Sequence, residues 1–456
     1  MKKIGRHLAM ILAGSAFVLP LKAQLLKGTI NNYKEDKVTI YYISPQDWIS
    51  FVTKDVPVTN GFFSFDENIP NNTQDIEIHL GKKIVAARLL KGKTQEMTIT
   101  INDGKPEVIF KGPDADVNRV VAQMGETYDI MHFYTETPIA ELRKEVDNGH
   151  KAIVPLLKKI KNKDERAYYT RLNDAKHKNI NYRLIKNRIK EEKTNKDNDK
   201  ELWQLINSID FNDDASVFSN LSVLVLQSLP KTKSVFKSDM GPFCRELMDI
   251  VNEKVSHPVL RRQMTAIIAQ TYFRFGGDVG DYHAFYKELT AFAGKENAEI
   301  PLQYMSQVES WDRTKNGNMA PDVTLTDIEG NQVKLSSFKG KYTFIDVWAT
   351  WCGPCKTEIP FMKELVEHFK GNNKVQFISI SIDEDVETWK EMINRDKPQW
   401  AQYNINGETS KLFKKDWGIT SIPRFILIDK EGKIISSDTT RPSDEKTTLM
   451  IETRIL

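Results

Sequence analysis

The sequence predicts a multidomain chain with an N-terminal β-sandwich-like domain, a central all-α region and a C-terminal α/β domain. The chain of 456 residues is longer than one ordinary domain. Its composition, with 40% hydrophobic and 28% charged residues, is typical of globular proteins with hydrophobic cores. The hydrophobic pattern has period two up to about residue 112 and helical spacing after it. From residue 317 onward, patterns of buried strands and amphipathic helices alternate. We therefore predict domains or regions at 24–112, 113–315 and 317–456.

Residues 1–23 predict a secretory signal peptide. Lys2, Lys3 and Arg6 form a charged start, residues 8–19 form an apolar middle, and Ala23 supplies a small residue at the expected cut. The alternative is an uncleaved anchor, although the apolar stretch is short for a membrane span of about 20 residues. We expect an exported protein, periplasmic or otherwise outside the cytoplasm.

The charge balance favours neither a nucleic-acid partner nor an anionic membrane surface. The formal net charge is +3, from 65 basic and 62 acidic residues. Four of the basic residues lie in the expected signal peptide, which contains no acid, so the remaining chain has 61 basic residues against 62 acidic ones. A chain this close to neutrality lacks the basic excess that attracts polyanions.

Residues 24–112 predict a small antiparallel β-sandwich. Apolar and polar residues alternate in several runs that are separated by turn signals such as Asn60-Gly61 and Asp103-Gly104. These runs begin at Val38, Phe62, Ile76 and Met97. The region shows no catalytic constellation.

Residues 113–315 predict helices almost throughout, because apolar residues recur at helical spacing, as in the stripe Leu260, Met264 and Ile268. Cys244 lies in one of these helical segments. We expect it to be a buried thiol that packs as a small hydrophobe. A redox or intermolecular role is the alternative.

The chemistry of the chain is predicted at Cys352 and Cys355, which are separated by Gly353 and Pro354. They follow the apolar run 344–349 and precede a stretch with helical spacing, so the pair is expected at a helix N-terminus. Unpaired N–H groups and the helix dipole there stabilise a thiolate. Pro354 suits the first helical turn, and Gly353 allows another chain to approach the sulfur.

Two other interpretations of the cysteine pair are less favoured. A zinc site needs about four ligands, and no second pair of cysteines or nearby pair of histidines is found in the sequence. A structural disulfide is possible in an exported protein, but it would close a loop too small to stabilise the fold much. A redox-active dithiol without metal or other cofactor is therefore predicted.

The stretch from Trp351 to Lys356 resembles the thioredoxin active site. Asp346 matches the buried acid of that family, six residues before the first cysteine, and Ile422-Pro423 resembles its cis-proline loop. Glu358 is a variant typical of exported TlpA/ResA-like members, and residues 320–341 resemble the hairpin that those members share with peroxiredoxins. The resemblance covers about the last 140 residues and implies a thioredoxin fold for 317–456.

Each of these residues has an expected role. Cys352, at the exposed end of the helix, attacks a substrate disulfide, and Cys355 resolves the mixed disulfide after losing its proton to Asp346. For Asp346, pairing with a lysine is the alternative. Glu358 is either a second titrating group or an acid favoured by the helix dipole. Substrate contacts are expected from five residues: Trp351, Gly353, Pro354, Ile422 and Pro423. Arg424 either aids docking or is simply exposed.

Three classes of function remain. The favoured one is an exported thiol–disulfide oxidoreductase, acting as a reductase of disulfide-bearing proteins and kept reduced by a membrane electron donor. A peroxiredoxin-like peroxidase is the second, although the Pro-x-x-x-Thr-x-x-Cys pattern of peroxidases is missing. The third is a binding protein whose first 315 residues hold a ligand, with a regulatory C-terminal domain. The sequence defines neither the electron donor nor the oligomeric state.

Overall fold

The computed structural model describes residues 24–44, 50–67, 73–112, 114–129, 137–232, 240–275 and 281–455. The predicted signal peptide at residues 1–23 lies outside these ranges. None of the helices described is both long enough and apolar enough to cross a lipid bilayer. The chain forms two compact units, one of residues up to Val225 with Ser256–Gln263, the other of Leu226–Val255 with Met264–Leu456.

The first unit contains the predicted β-rich region. Its eight strands are β1 (Gln24–Asn31), β2 (Lys37–Ile43), β3 (Phe51–Pro57), β4 (Phe62–Glu67), β5 (Thr73–Leu80), β6 (Lys83–Leu90), β7 (Thr94–Asn102) and β8 (Lys105–Lys111). They form two four-stranded sheets, of order β4-β1-β7-β8 and β3-β2-β5-β6. The two sheets share one hydrophobic core, to which Leu26, Ile40, Ile78 and Ile99 contribute fully buried side chains. Alternation along each strand buries these residues on one face.

The prediction of an antiparallel sandwich is wrong for one strand pair. β1 and β7 run parallel, with Gly28 opposite Met97. Parallel neighbours need a long crossover connection, and here the chain passes through five other strands between them. A pairing between segments this far apart leaves no trace in the local alternation of apolar residues.

Helices follow the sheets, as predicted. They are α1 (Ala115–Thr127), α2 (Ile139–Leu157), α3 (Lys163–Glu191), α4 (Lys200–Asn207), α5 (Asp214–Phe218), α6 (Leu221–Leu226), α7 (Gly241–Lys254), α8 (Pro258–Gln270), α9 (Tyr282–Ala293), α10 (Glu299–Leu302) and α11 (Met305–Arg313). The two units divide these helices between them. Cys244 on α7 is fully buried, outside any disulfide, with its Sγ 3.8 Å from the carbonyl oxygen of Ile268, as expected for a buried thiol.

Helix α3 shows how the local sequence determines where a helix begins and ends. α3 begins after Asn162, whose side chain accepts hydrogen bonds from the N–H groups of Asp164 and Glu165. These two acids lie in the first turn, and Arg188 and Lys190 lie in the last one, so both ends complement the helix dipole.

The second unit contains the C-terminal α/β domain. Its strands are β9 (Thr324–Thr326), β10 (Gln332–Lys334), β11 (Tyr342–Trp348), β12 (Val375–Ser381), β13 (Ala401–Asn404), β14 (Arg424–Ile428) and β15 (Ile434–Ser436). Its helices are α12 (Gly353–His368), α13 (Val386–Asp396), α14 (Gly407–Asp416) and α15 (Glu445–Ile455). The seven strands form one sheet of order β10-β9-β13-β12-β11-β14-β15. This is the thioredoxin-like arrangement that the resemblance implied.

The pairing of β11 positions the site. β12 runs parallel to β11, whereas β14 runs antiparallel, with Arg424 opposite Val347. The residues that precede β14 therefore lie beside the carboxyl end of β11, where the chain continues to Cys352. The apolar side chains of β11 belong to two separate clusters. One cluster contains Ile345 and Val347, and the other contains Phe344.

Gly28 offers a test of packing in the sandwich. It lies opposite Phe63 on the neighbouring strand, and a Cβ at Gly28 would come within 2.0 Å of the Phe63 ring. We expect Gly28→Ala to lower the free energy of unfolding by about 1–3 kcal/mol, because the ring must move within a packed core. Denaturant titration followed by circular dichroism measures the loss. Phe63→Leu should restore part of it when combined with Gly28→Ala, and strictly additive effects would contradict a steric cause.

Candidate active site

Cys352 caps the helix that carries Cys355. α12 begins at Gly353 with Pro354 in its first turn, and the extended backbone of Cys352 places its sulfur over the helix end. The Sγ atom of Cys352 accepts a hydrogen bond from the N–H of Cys355 over 3.1 Å. This N–H is one of the amides at a helix start that have no partner within the helix. A negative charge on Cys352 is therefore stabilised where it would form.

The two cysteines are joined in a disulfide, so the structure shows the oxidised state. Cys352 is only 5% exposed and Cys355 3% exposed. The prediction of an exposed Cys352 is wrong for this state, because its sulfur faces its own helix end and the side chain belongs to the apolar core. Trp351, by contrast, is 67% exposed.

The residues expected to contact substrate surround this disulfide. Trp351, Gly353 and Pro354 are exposed, and beyond the adjacent residues and the helix's own backbone no described atom lies within 4 Å of where a Cβ on Gly353 would be, leaving room for an approaching chain. Ile422 is half-buried and packs against the apolar cluster that contains both cysteines. The Ile422–Pro423 peptide bond is cis, as the resemblance implied.

Arg424 is buried inside the C-terminal domain. It is 3% exposed, donates from Nη1 to the carbonyl oxygen of Ser437 over 3.2 Å and forms an ion pair with Asp438 at 3.3 Å. Both expectations for Arg424, docking and simple exposure, are wrong. β14 is buried along its whole length, and the guanidinium finds its partners inside the domain.

Asp346 lies in the middle of β11 and is 8% exposed. Its Oδ2 accepts a hydrogen bond from the hydroxyl of Ser379 over 2.9 Å, and Trp400 Nε1 donates to that hydroxyl over 2.8 Å. The pKa of Asp346 is raised to about 7, mainly by burial; the Ser379 hydrogen bond opposes the rise, and the negative charge of Glu358 adds to it. Within the described residues, no lysine or arginine contributes to this pKa, which argues against the lysine-paired alternative.

Glu358 lies on α12 and is 6% exposed. Its carboxylate accepts hydrogen bonds from the Ser443 N–H over 3.1 Å and from the Ser443 hydroxyl over 3.0 Å. Arg441 Nη1 lies 3.5 Å from the same group. Glu358 is therefore more than a first-turn acid facing solvent: it is a buried carboxyl group that ties α12 to the segment before α15.

Sequence reasoning missed Asp383, which follows β12 and is 2% exposed. Its carboxylate accepts from the Thr350 N–H over 2.9 Å, the Thr350 hydroxyl over 2.8 Å and the Ser381 hydroxyl over 2.7 Å. Asp383 thus fixes the loop just before Trp351 and Cys352. The available signal was a polar residue at the carboxyl end of a buried strand, since the carboxyl ends of adjacent parallel strands meet at one sheet edge.

Two cysteines that form a disulfide at a helix start, directly after a strand that carries a buried carboxyl group of raised pKa, can exchange electrons with another disulfide. On a thioredoxin-like sheet, this arrangement defines the thiol–disulfide oxidoreductases as the class of protein. Among the residues described, no group of three or more His, Cys, Asp or Glu is placed to hold a metal ion.

Comparison with known proteins gives the family. Residues 315–450 match the redoxin family. The thiol-disulfide oxidoreductase ResA of Bacillus cereus is 32% identical over 132 residues, which are 29% of this chain and 74% of ResA. ResA of Bacillus subtilis is 30% identical over 119 residues, 26% of this chain and 64% of that protein.

A solved structure of the thioredoxin domain of a thiol-disulfide oxidoreductase from Bacteroides vulgatus is 31% identical, covers 31% of this chain and 99% of its own length, and has a TM-score of 0.29. Through its C-terminal region, the chain belongs to the redoxin family of ResA-like thiol–disulfide oxidoreductases. The resemblance stated from the sequence is thereby confirmed.

The raised pKa of Asp346 predicts a pH-dependent cost to stability. An unfolded aspartate releases its proton near pH 3.8, whereas folded Asp346 keeps it until about pH 7. The free energy of unfolding should therefore fall as pH rises through this window, by up to roughly 4 kcal/mol from this group alone. Asp346→Asn should remove the fall, so the variant should match the wild type near pH 4 and exceed it near pH 8. Denaturant titrations of the oxidised proteins at both pH values measure the difference.

The proton-transfer role expected for Asp346 predicts slower turnover in the same variant, because asparagine cannot accept the proton of Cys355. Wild-type-like turnover of Asp346→Asn between about pH 6 and pH 9 would contradict the proton-transfer role. A stability difference that does not change with pH would contradict the raised pKa.

Proposed function

We propose that the protein is an exported reductase of protein disulfides that works through the Cys352–Cys355 pair. The proposed direction, reduction of the substrate, rests on the surroundings of Cys352. Its Sγ accepts a hydrogen bond from the backbone N–H of Cys355. A strong oxidant needs a heavily stabilised thiolate at this position. Here the residues between the cysteines are Gly353 and Pro354, and the residue before the cis-proline is the apolar Ile422. The helix terminus alone gives a modest stabilisation, which favours the reducing direction.

The reaction proceeds in two exchanges. The Cys352 thiolate attacks one sulfur of the substrate disulfide, forms a mixed disulfide and releases the other substrate sulfur as a thiolate. The Cys355 thiolate then attacks the sulfur of Cys352 and releases the second substrate thiolate. Two electrons pass to the substrate, and the protein ends as the Cys352–Cys355 disulfide seen in the structure.

Asp346 supplies the proton acceptor that the second exchange needs. Cys355 is buried and must lose its proton before it attacks. A carboxyl group with a pKa of about 7 takes and returns a proton close to neutral pH. The dithiol performs the chemistry without a further cofactor.

The cell compartment adds a requirement for an electron donor. The composition of residues 1–23 supports export. Because compartments outside the cytoplasm are oxidising, the disulfide form accumulates unless a partner reduces it. We propose a membrane protein of the thiol-reductase type as that donor and a disulfide-bearing protein as the substrate.

The two cysteines should fail differently when replaced. Cys352→Ser should abolish disulfide reduction, because the attacking thiolate is lost. Cys355→Ser should still attack but remain as a mixed disulfide, visible as a heavier, reductant-sensitive band on a gel. If Cys355 is alkylated before Cys352 in the reduced wild type at neutral pH, the two roles are assigned the wrong way round.

The redox potential tests the direction of the reaction. We expect equilibration with glutathione buffers to give a potential below about −200 mV. The measurement needs only the ratio of oxidised to reduced protein at several buffer ratios. A value near −120 mV, that of a DsbA-type oxidant, would contradict the reductase proposal and leave the oxidoreductase class intact.

A further inference from the structure

Helix α11 lies outside the region that matches the redoxin family, and it contacts the chain that leads to the cis-proline. α11 ends at Arg313, before the match begins at residue 315. The chain in question is the end of α14 and the turn after it, residues 415–423, here called the cis-proline segment. α11 and this segment belong to the same compact unit.

Two side chains of α11 donate hydrogen bonds to the backbone of the cis-proline segment. Gln307 Nε2 donates to the carbonyl oxygen of Gly418 over 2.9 Å, and the Ser310 hydroxyl donates to that of Lys415 over 2.6 Å. Both acceptors lie where α14 ends, and the last carbonyl groups of a helix need partners from outside it. For the Lys415 carbonyl, α11 adds a side-chain donor to the local hydrogen bond from the Gly418 N–H, and for the Gly418 carbonyl it supplies the amide of Gln307.

The backbone of the segment also fits closely against α11. Gly418 has a positive φ of 60°, and a Cβ on it would lie 2.7 Å from Gln307 Nε2 and 3.0 Å from Trp311 Cδ1. Trp311 is itself held in place: it is 2% exposed and stacks on Phe273 with 5.6 Å between ring centroids. The segment therefore packs, four residues before Ile422, against a buried tryptophan that is itself stacked on another ring.

We propose that α11 is a positioning helix for protein substrates, holding the cis-proline segment where an extended substrate chain pairs beside Cys352. An extended chain gains affinity from main-chain hydrogen bonds, so it depends on where that backbone lies. A small disulfide that makes no such pairing needs only the sulfur. The proposal rests on the disulfide-exchange activity of the family and not on the direction of the reaction.

The test compares two disulfides with the same leaving group. One is an extended peptide whose cysteine is bonded to thionitrobenzoate, and the other is free cysteine bonded to thionitrobenzoate. In both, the Cys352 thiolate attacks the cysteine sulfur and expels the coloured thionitrobenzoate anion, so stopped-flow absorbance gives a rate constant for each. The full-length reduced protein is used throughout.

For the double variant Gln307→Glu with Ser310→Ala, we expect the peptide rate constant to fall about tenfold, the effect of roughly one hydrogen bond. The cysteine rate constant and the redox potential should stay at the wild-type values. Gln307→Glu alone keeps the size of the side chain but replaces the amide donor with a carboxylate that cannot donate to the Gly418 carbonyl oxygen, so it should give a smaller fall of the same selectivity. Gln303→Ala, at an exposed position just before α11, is the matched control and should change neither rate.

Other outcomes would overturn the proposal. Equal falls in both rate constants would show that α11 only supports the fold of the active domain. An unchanged peptide rate constant in the double variant would show that the contacts do not affect substrate. A wild type inert toward both compounds would overturn the exchange activity itself, and the role of α11 with it.

Discussion

Strand β11 is hydrogen-bonded on both sides, and the whole redox site depends on that pairing. Because β12 is parallel to β11, its carboxyl end lies beside the carboxyl end of β11. Because β14 is antiparallel, its amino end lies there too. Cys352, Asp383 and Pro423 come from three separate stretches of sequence, and the directions of these strands bring them to one edge of the sheet.

Three buried carboxyl groups, around β11, β12 and α12, differ in the number of hydrogen bonds that they receive. This number decides what each carboxyl group can do. Burying a carboxylate is costly unless its oxygens receive hydrogen bonds. Glu358 receives two and Asp383 at least three, and each ties one chain segment to another. Asp346 receives one from Ser379, and burial raises its pKa. The acid that is least well paired is the one suited to move a proton.

The folded unit that carries the site is larger than the region of family likeness. The match begins at residue 315, whereas the unit already includes residues 226–255 and resumes at Met264. Aromatic packing builds its helical part: Tyr272 stacks on Phe285 with 3.6 Å between ring centroids, and Phe273 stacks on Trp311. Through Trp311 this helical part meets the turn at Gly418. The region of family likeness is therefore only part of the folded unit that carries the site.

Much of the site could be predicted because the residues that carry its chemistry lie in short stretches of the sequence. A buried strand followed at once by Cys352 and Cys355 places a dithiol at a helix start, and an aspartate within that strand implies a perturbed acid. The alternation of residues 24–112 likewise indicates strands and the face that each buries. In all these cases the deciding contacts lie within a few residues of each other.

Tertiary structure decided everything that joins distant segments. The parallel pairing of β1 with β7, the burial of Arg424 against Asp438 and the anchoring of Thr350 by Asp383 all link residues that no local pattern connects. β13 is short and partly polar, and it becomes a strand because β12 and β9 pair with it. The sequence alone determined the elements and the reacting groups, since periodicity and helix-end electrostatics act locally. Packing and loop closure across the whole domain decided which elements meet. Those contacts in turn decided which acid is paired and which loop is held.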